Sequence, residues 1–373
     1  MTLLIYIVVG IALSYGIFLL YTGFYFFVPT VKPEHPAKPG KISVVIAFRN
    51  EKVHFSECLY ALSNIDFNSE NAELILVDDH SDDGSRAEAA DFCRRHAYAR
   101  LLLLEAEEQG KKAALHKGIR EADGEIIAVT DADCIAGKNW LKVIRERFTD
   151  PEKNFLTGPV KFVSHDSFVE KLQASELCVL QALTGGSVKA GFPLFANGAN
   201  MAFRKKFYEE SDGMRDSASA SGDDMFLLIE AVKHDPRSVG YLDNVSATVL
   251  TWPEKTWKGM LEQRTRWASK TGKYRRPLLT ITALLVFLMN ASPLLLTLLS
   301  LVERDLLVAA VVTWFWKASV DLLLLSLAVP FFKERSLAAS AVAGTFIYPF
   351  IGIMIVPGIM RRSFTWKGRK WKA

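Results

Sequence analysis

The chain has 373 residues, half of them hydrophobic, and a formal net charge of +4. Its basic residues cluster at the boundaries of apolar segments, so nucleic-acid binding has little support. The four cysteines, Cys58, Cys93, Cys134 and Cys178, are scattered without pair spacing. This pattern argues against a disulfide framework or a zinc site and favours reduced thiols in a cytoplasmic domain.

Two apolar zones indicate an integral membrane protein. Residues 3–28 carry no charge, are long enough to cross a bilayer, and lack the basic start and cleavage site of a signal peptide. Residues 278–360 form a second zone, which charged groups at 303–305 and 333–335 divide into three segments of spanning length. We expect one N-terminal transmembrane helix, within residues 1–30, and about three C-terminal transmembrane or membrane-embedded helices.

Basic residues on both sides of the intervening soluble stretch predict its orientation. They follow the first apolar segment and precede the second zone: Lys32, Lys38, Lys41, Arg264, Arg266, Lys270, Lys273, Arg275 and Arg276. By the positive-inside rule, both ends of the stretch face the cytoplasm. The basic tail, residues 361–373, is expected there too, which conflicts with three full crossings unless one segment is re-entrant or interfacial. We expect the protein in a bacterial inner membrane, within the lipid bilayer, with its soluble domain in the cytoplasm.

Strand and helix patterns alternate along the soluble stretch. A proline-rich linker, residues 31–41, precedes them. Buried-strand patterns lie at 42–48, 73–79, 101–104 and 125–130. Helical patterns lie at 53–64 and 111–120, and a third helix between them is predicted to run to His96. Ser81 or Asp82 is expected to cap the helix that runs to His96. The alternation predicts an α/β fold with a mainly parallel sheet and helices on both faces.

Polar residues collect where the predicted strands end, at residues 49–51, 78–79 and 131–133. In a parallel α/β sheet, ligands bind beyond the carboxyl ends of the strands. The first and third side chains of an extended Asp131-Ala132-Asp133 point the same way and can converge on one divalent cation. Such a site would hold a metal against a diphosphate, although an acidic turn at a strand end is common without one.

Two later patterns have a structural as well as a functional interpretation. Asp223 and Asp224 lie in the first turn of a predicted helix, where the helix dipole alone favours acids. Residues 197–200 predict a turn before a strand, and their small side chains would allow close approach of a ligand.

Charged and aromatic residues near and within the apolar zone also have two interpretations. Gln263, Arg266 and Trp267 share one helix face, which fits ligand binding or an amphipathic helix at the membrane interface. Lys317 and Asp321 lie four residues apart inside an apolar segment. They mark a functional site, or they pair with each other or contact another span.

Seven segments, in order, resemble the membrane-integrated family 2 glycosyltransferases: SVVIAFRNE, VDDHSDDGS, GKKAALHKGI, DADC, NGANMAFR, SGDDMFLL and QRTRW. The resemblance covers nearly all of residues 41–267. That family has the GT-A fold and includes cellulose, chitin and hyaluronan synthases and ceramide glucosyltransferases. The resemblance implies a Rossmann-like GT-A catalytic domain at 42–254, an interfacial helix with Q-x-x-R-W at 255–277, transmembrane helices at 278–360 and a basic tail at 361–373.

The resemblance also assigns a donor side. It places a UDP-sugar against Ala47, Phe48, Glu51, Asp79, Lys111, Asp131, Gln263, Arg266 and Trp267. Asp79, rather than Asp78, would contact the uracil, and Lys111 would approach the diphosphate. Asp133, with Asp131, would bind Mg²⁺ or Mn²⁺, which neutralises the leaving UDP.

On the acceptor side, the resemblance implies a catalytic pair and a binding loop. Asp224 would be the general base that deprotonates the acceptor hydroxyl, and a single displacement would invert the anomeric configuration. Asp223 stands where the family usually has a glutamate, and it completes the catalytic pair. The acceptor would lie against Asn197, Gly198, Asn200 and Trp267.

The expected enzyme is a metal-dependent hexosyltransferase that acts on a membrane-associated acceptor, a lipid or a short glycan. A processive polysaccharide synthase is the alternative, although three C-terminal segments are few for a polymer channel. A non-catalytic membrane protein that binds nucleotide sugars is a second alternative, opposed by the intact acidic motifs. A polyprenyl-phosphate sugar synthase would usually lack Q-x-x-R-W. Residues 366–369 resemble a W-G-x-R element with an inserted lysine, and a membrane anchor is the favoured interpretation.

Overall fold

The chain divides into two compact units in this computed structural model. The structure describes residues 2–31, 33–67, 71–163, 166–211, 223–269, 274, 276–360, 363–366 and 369–372. The sheet unit comprises Pro29–Val163 and Val188–Trp252. The apolar-helix unit comprises Met1–Val28, Ser164–Ser187 and Pro253–Ala373.

The described residues of the sheet unit contain two β-sheets. The larger has seven strands: β1 (Ile42–Phe48), β2 (Ala72–Asp78), β3 (Ala99–Leu103), β4 (Ile126–Val129), β6 (Phe155–Thr157), β8 (Met201–Arg204) and β9 (Val239–Tyr241). Their order is β3-β2-β1-β4-β8-β6-β9. The smaller sheet has the order β5 (Ile135–Ala136), β10 (Val249–Thr251) and β7 (Val160–Phe162).

The first four strands of the large sheet run parallel, which confirms the predicted mainly parallel α/β sheet. All seven residues of β2 are buried, as expected for a strand covered on both faces. β8 runs antiparallel to β4, with Met201 opposite Val129. The turn at 197–200 therefore lies beside the segment that follows β4.

Six helices of the sheet unit are described: α2 (Phe55–Ser63), α3 (Ser85–Arg95), α4 (Lys111–Arg120), α5 (Trp140–Arg147), α7 (Lys205–Glu210) and α8 (Asp223–His234). β1 and α4 have the predicted bounds. α4 approaches the sheet closely at Gly118, where a Cβ atom would lie 2.5 Å from Val45 Cγ1 and 3.0 Å from Val77 Cγ2. Only glycine allows this packing, which brings the start of α4 to the edge where β1 and β2 end.

The predicted cap of α3 is wrong. This helix begins at Ser85, after Gly84 with a φ of 99°, and it has no side-chain cap bond. Ser81 Oγ instead accepts a hydrogen bond from the Asn50 backbone N–H (3.1 Å), and the Asp82 N–H donates to Asn50 Oδ1 (3.0 Å). Ser81 and Asp82 therefore join the turns that follow β1 and β2, because their partner lies across the sheet edge.

The described helices of the apolar-helix unit are α1 (Thr2–Phe27), α6 (Phe168–Lys189, of which 168–187 belong to this unit), α9 (Trp257–Ala268), α10 (Pro277–Leu299), α11 (Leu306–Phe331), α12 (Ala338–Met354) and α13 (Val356–Met360). Among the described residues, four helices are long and apolar enough to cross a membrane: Thr2–Phe27, Pro277–Leu299, Leu306–Phe331 and Ala338–Ile359. This confirms the predicted set of one N-terminal and three C-terminal apolar helices. The number of true crossings and the side of the tail stay predictions.

The sequence patterns do not predict α6, because Thr184, Gly185 and Gly186 are poor helix formers in its interior. At Gly186 the helix lies directly against the backbone of Thr22 on α1 and leaves no space for a side chain. The glycine that weakens the helical signal therefore permits the packing of the helix.

The tail contains an antiparallel pair, β11 (Ser363–Trp366) and β12 (Arg369–Lys372). Lys367 and Gly368, which belong to the W-G-x-R-like element, lie outside the described residues. So do Lys32, Lys270, Lys273 and Arg275 from the basic clusters. The anchor interpretation of the tail stays a prediction.

The two charged residues within α11 pair with each other and contact two further helices. Lys317 is 2% exposed, and its ammonium is bonded to the Asp321 carboxylate on the same helix. Tyr15 Oη of α1 donates to Asp321 Oδ1 at 2.6 Å, and Lys317 Nζ lies 3.5 Å from the Thr345 carbonyl oxygen of α12. The self-paired interpretation is confirmed, and the pair joins α11 to α1 and α12.

Removal of one of these two charges should therefore lower the free energy of unfolding more than removal of both. We expect Asp321→Ala to destabilise the protein by about 3 kcal/mol, because Lys317 is left buried without its partner. The double variant Lys317→Met with Asp321→Leu should be much closer to the wild type. Unfolding of the detergent-purified proteins by denaturant titration measures both. Equal losses in the single and double variants would contradict this assignment.

Candidate active site

The turns after β1, β2 and β4 meet at one edge of the large sheet, because these strands are parallel neighbours. Asn50 and His80, in the first two turns, have φ angles of 51° and 56°. Such left-handed conformations are uncommon outside glycine and show that both turns are tightly constrained. The predicted polar side chains therefore lie on a defined rim.

Two adjacent acids after β2 have different surroundings. Asp78 is fully buried, accepts a hydrogen bond from Arg86 Nε at 2.6 Å, and accepts another from the Ser81 N–H at 3.1 Å. Asp79 accepts from the Gly110 N–H at 3.1 Å, just before α4. The Asp78 carboxylate thus stabilises the turn after β2. The uracil contact predicted for Asp79 stays a prediction.

The Phe48 ring packs in the core, and the donor contact predicted for Phe48 stays a prediction. The ring is 2% exposed and stacks on Phe55 with a centroid separation of 4.8 Å. It belongs to the core, because the alternation of a buried strand directs it inward. Ala47 and Glu51 are both half-buried on the rim.

The segment Asp131-Ala132-Asp133 is a turn, not the extended strand that the sequence analysis assumes. β4 ends at Val129, and the Cys134 N–H donates to the Asp131 carbonyl at 3.1 Å. The two carboxylates nevertheless lie close together, and their convergence on a cation stays a prediction. One ligand atom from each of Asp131, Asp133 and Cys134 lies within 4.8 Å of the others.

This donor set fits a hard divalent cation. Carboxylate oxygens, such as those of Asp131 and Asp133, are the ligands that Mg²⁺ and Mn²⁺ prefer. Burial, followed by the fields of Asp133 and Asp131, raises the pKa of the Cys134 thiol well above its usual value. Mg²⁺ and Mn²⁺ prefer oxygen to sulfur ligands, so the two carboxylates are the candidates.

Glu51 belongs to the same acidic group. Burial, then the fields of Asp133, Asp131 and Glu51, raise the pKa of the Cys58 thiol far above its usual value. Cys58 Sγ also lies 3.8 Å from the Asp131 carbonyl oxygen. The turns after β1 and β4 therefore place carboxylates near one buried thiol, that of Cys58.

Lys111, the first residue of α4, balances the acidic group. Its side chain is about a quarter exposed (26%), and its ammonium is bonded to the Asp131 carboxylate. Burial lowers the pKa of Lys111, but the field of Asp131, the hydrogen bond to it and the fields of Asp223 and Asp224 raise it above its usual value. Carboxylates from the end of β4 and the start of α8 therefore act on one ammonium.

The loop before β8 contacts the start of α8. The Gly198 N–H donates to Asp224 Oδ2 at 3.1 Å, and the Met225 N–H donates to Asp224 Oδ1 at 2.9 Å. A Cβ at Gly198 would lie 3.7 Å from the Asp224 Cβ, which is ordinary contact. Asp223 is 5% exposed. The structure thus brings together the predicted base and the predicted acceptor loop.

Asn200 has no exposed surface with which to contact an acceptor. Its Nδ2 donates to the carbonyls of Pro159 (2.8 Å) and Ala247 (2.9 Å), and its Oδ1 accepts from Trp140 Nε1 (2.9 Å). This buried amide holds the 197–200 loop in place. Trp140 is a site-supporting residue that the sequence analysis missed, since its partner is 60 residues away.

Gln263, Arg266 and Trp267 lie on α9 in the apolar-helix unit. Trp267 is 41% exposed, and burial lowers the pKa of Arg266 despite the opposing field of Glu254. The side chain of Arg264, between the predicted residues, is buried and bonded to Gln263. The donor and acceptor roles of the three predicted residues stay predictions.

Residues 43–211 match the family model described as Glycosyl transferase family 2. This segment is a glycosyl transferase family 2 domain. It runs from β1 past α7 and includes the acidic turns, Lys111 and the 197–200 loop. The α8 acids lie beyond the matched residues of the family 2 domain.

Two known bacterial proteins are similar in sequence to this chain. The chain is 24% identical over 272 residues to the probable glycosyltransferase YdaM of Bacillus subtilis, which covers 70% of this chain and 63% of YdaM. It is 26% identical over 248 residues to a poly-β-1,6-N-acetyl-D-glucosamine synthase of Staphylococcus epidermidis, which covers 64% of this chain and 56% of the synthase. The matched part is thus less than two thirds of the length of each relative.

A solved structure has a similar fold. It is the mannosyltransferase PcManGT from Pyrobaculum calidifontis in complex with GDP-Man and Mn²⁺, with a TM-score of 0.57 and 19% identity. The likeness covers 92% of this chain and 98% of that chain. It supports a GT-A-like α/β fold for the family 2 domain.

Loss of the Asn200 amide should destabilise the site. Asn200→Ala leaves the Trp140 N–H and two carbonyls without partners, so we expect a loss of about 3 kcal/mol in unfolding free energy. Asn197→Ala is the control, because among the described residues the Asn197 side chain accepts a local bond, from the Ala199 N–H. Its expected loss is under about 1 kcal/mol. Urea unfolding compares them, and similar losses would refute the supporting role of Asn200.

Proposed function

We propose that the chain is an inverting, metal-dependent glycosyltransferase that transfers a sugar from a UDP-sugar to a hydroxyl of a membrane-associated acceptor. The family 2 domain supports this reaction class. One observation carries the proposal: the Lys111 ammonium is bonded to Asp131 after β4, and Asp224 of α8 is bonded to Gly198 in the loop beside that segment. Such a centre can neutralise a leaving diphosphate on one side and accept a proton on the other.

Asp131 and Asp133 would hold the cation, Mg²⁺ or Mn²⁺. When bound, this cation offsets the negative charge that develops on the leaving diphosphate. Lys111 carries a second positive charge beside Asp131, where it would meet the same diphosphate. Glu51 and Asp79 would orient the ribose and the uracil at the ends of β1 and β2.

Asp224 would be the general base. Its two carboxylate oxygens are fixed by the N–H groups of Gly198 and Met225, so the group is oriented before the acceptor arrives. It would take the proton of the acceptor hydroxyl while that oxygen bonds to the anomeric carbon. The bond between this carbon and the diphosphate oxygen breaks in the same step. Attack from the face opposite the diphosphate inverts the configuration.

A lipid or a short glycan is the proposed acceptor. The apolar helices after the family 2 domain number three among the described residues, and two charged residues on one of them, Lys317 and Asp321, are bonded to each other. This arrangement offers little polar lining for a growing polymer. The similarity to the staphylococcal synthase favours a processive polysaccharide synthase as the second candidate.

A donor and acceptor panel tests the proposal. Detergent-purified protein is incubated with individual UDP-sugars or GDP-mannose, bacterial lipid extract, and Mg²⁺ or Mn²⁺, and mass spectrometry analyses the products. A glycolipid formed from a UDP-sugar supports the proposal, and a polymer supports the second candidate. Transfer from GDP-mannose alone overturns the UDP assignment. Binding without turnover across the panel would favour the non-catalytic alternative.

The base is tested by Asp224→Asn. We expect turnover to fall by about 10³-fold or more, because the amide cannot accept the proton. Glu230→Gln on the same helix is the matched control, since Glu230 pairs with Lys233 at the surface and should be near wild type. Initial rates at saturating donor measure the effect. Wild-type turnover in Asp224→Asn removes the base assignment.

The proposed metal ligands are tested by measuring Mn²⁺ binding. Asp133→Asn should weaken Mn²⁺ affinity by more than about tenfold, because a carboxylate ligand is replaced by a neutral amide. Asp123→Asn, at an exposed carboxylate paired with Lys41, is the control. The free Mn²⁺ signal in electron paramagnetic resonance gives the affinity without turnover. Equal Mn²⁺ affinity in both variants would place the cation elsewhere.

A further inference from the structure

Arg264 is buried on α9, although the Q-x-x-R-W resemblance assigns it no role. Its side chain is 7% exposed, whereas that of Trp267 on the same helix is 41% exposed. A buried guanidinium is costly unless it is paired and hydrogen-bonded. Its partners therefore indicate what fixes this part of the helix.

Glu176 of α6 forms a forked ion pair with Arg264. The Arg264 Nε lies 3.1 Å and 2.9 Å from the two Glu176 carboxylate oxygens, and its Nη2 is bonded to Oε2. Burial lowers the pKa of Arg264, but the field and hydrogen bonds of Glu176 raise it above its usual value. The guanidinium is thus charged and held in one plane, which a lysine cannot reproduce.

The same guanidinium contacts two residues of the Q-x-x-R-W motif. Its central carbon lies 4.5 Å from the centroid of the Trp267 ring, within the range of a cation–π interaction. Its Nη1 donates to Gln263 Oε1. The orientations of Gln263 and Trp267 therefore depend on a side chain that Glu176 holds.

Glu176 is itself tied to α12. Tyr348 Oη lies 3.2 Å from Glu176 Oε2 and 2.8 Å from the Leu172 carbonyl oxygen. Gln173, also on α6, bonds to the backbone of Glu254 before α9, through Nε2 at 2.7 Å and Oε1 at 3.3 Å. α6 is thus a common support for α9, for the segment that leads into it, and for α12.

We propose that Arg264 is a positioning residue that sets the orientation of Gln263 and Trp267 through its pair with Glu176. The inference rests on the proposed function and on the contacts that the family resemblance implies, of Gln263 with the donor and of Trp267 with the donor and the acceptor. Arg264 touches neither substrate and acts through its two neighbours. A merely structural Arg264 would change only the yield and stability of the folded protein.

Fluorine NMR tests the positioning without any turnover. The eight tryptophans are replaced biosynthetically by 5-fluorotryptophan, and the Trp267 resonance is assigned by its loss in Trp267→Phe. Arg264→Lys keeps the charge but loses the fork and the stacked plane. We expect it to shift or broaden the Trp267 resonance while the other seven stay in place. Glu262→Gln, at an exposed residue of α9, is the matched control and should move none.

Kinetics gives the second readout. Per folded molecule, Arg264→Lys should lower kcat/KM for the acceptor by on the order of tenfold, a typical coupling for groups in direct contact. The affinity for Mn²⁺ alone, which the proposed function assigns to Asp131 and Asp133, should stay within about twofold. Glu176→Gln should reproduce the Arg264→Lys effect, and the double variant should add little, because both changes break one pair.

The outcomes separate this inference from the proposed function. An unchanged Trp267 resonance in Arg264→Lys, or a Glu176→Gln effect that simply adds to it, overturns the positioning role whatever the activity. Wild-type protein without transferase activity across the panel overturns the proposed function, while the NMR arm still tests the orientation of Trp267. If Arg264→Lys fails to fold, Glu176→Gln carries the same NMR test, and an unmoved Trp267 resonance there also overturns the proposal.

Discussion

The charge balance around Lys111 is the interaction on which the candidate site depends. The interiors of β1, β2 and β4 are buried, so the acids that follow these strands cannot be solvated within the sheet and must lie at its edge. Asp131 and the α8 acids would repel one another there without a cation between them. Lys111 reaches them because α4 begins at the same edge, and Gly118 lets that helix lie close to the strands.

Buried charge follows the same rule in the apolar-helix unit, with different partners. Arg264 is compensated by Glu176 of another helix, and Lys317 is compensated by Asp321 of its own helix. In both cases a tyrosine adds a hydrogen bond to the carboxylate, Tyr348 in the first and Tyr15 in the second. Each cluster thus joins three helices: the Glu176 carboxylate joins α6 to α9 and α12, whereas Asp321 joins α11 to α1 and Lys317 joins α11 to α12.

Much of the architecture was predictable from local patterns. The bounds of β1 and α4 and the four apolar helices follow from runs and periods of apolar residues, which a short window contains. The meeting of residues 49–51, 78–79 and 131–133 followed from one topological rule about parallel strands. The extended conformation of Asp131-Ala132-Asp133 and the capping role of Ser81 were predicted wrongly. Each depends on a packing partner or a backbone bond that the local pattern does not contain.

By itself, the sequence determined the alternation of strands and helices, the apolar segments and the order of the acidic motifs, because each arises from residues close together in the chain. Only the tertiary structure decided that Asp78 is bonded to Arg86, that the buried Asn200 side chain supports its loop, and that Arg264 contacts Gln263 and Trp267. The physical reason is that a polar side chain takes its role from the partner it meets on burial. Those partners, such as Trp140 for Asn200 and Glu176 for Arg264, come from distant parts of the chain and meet only when it folds.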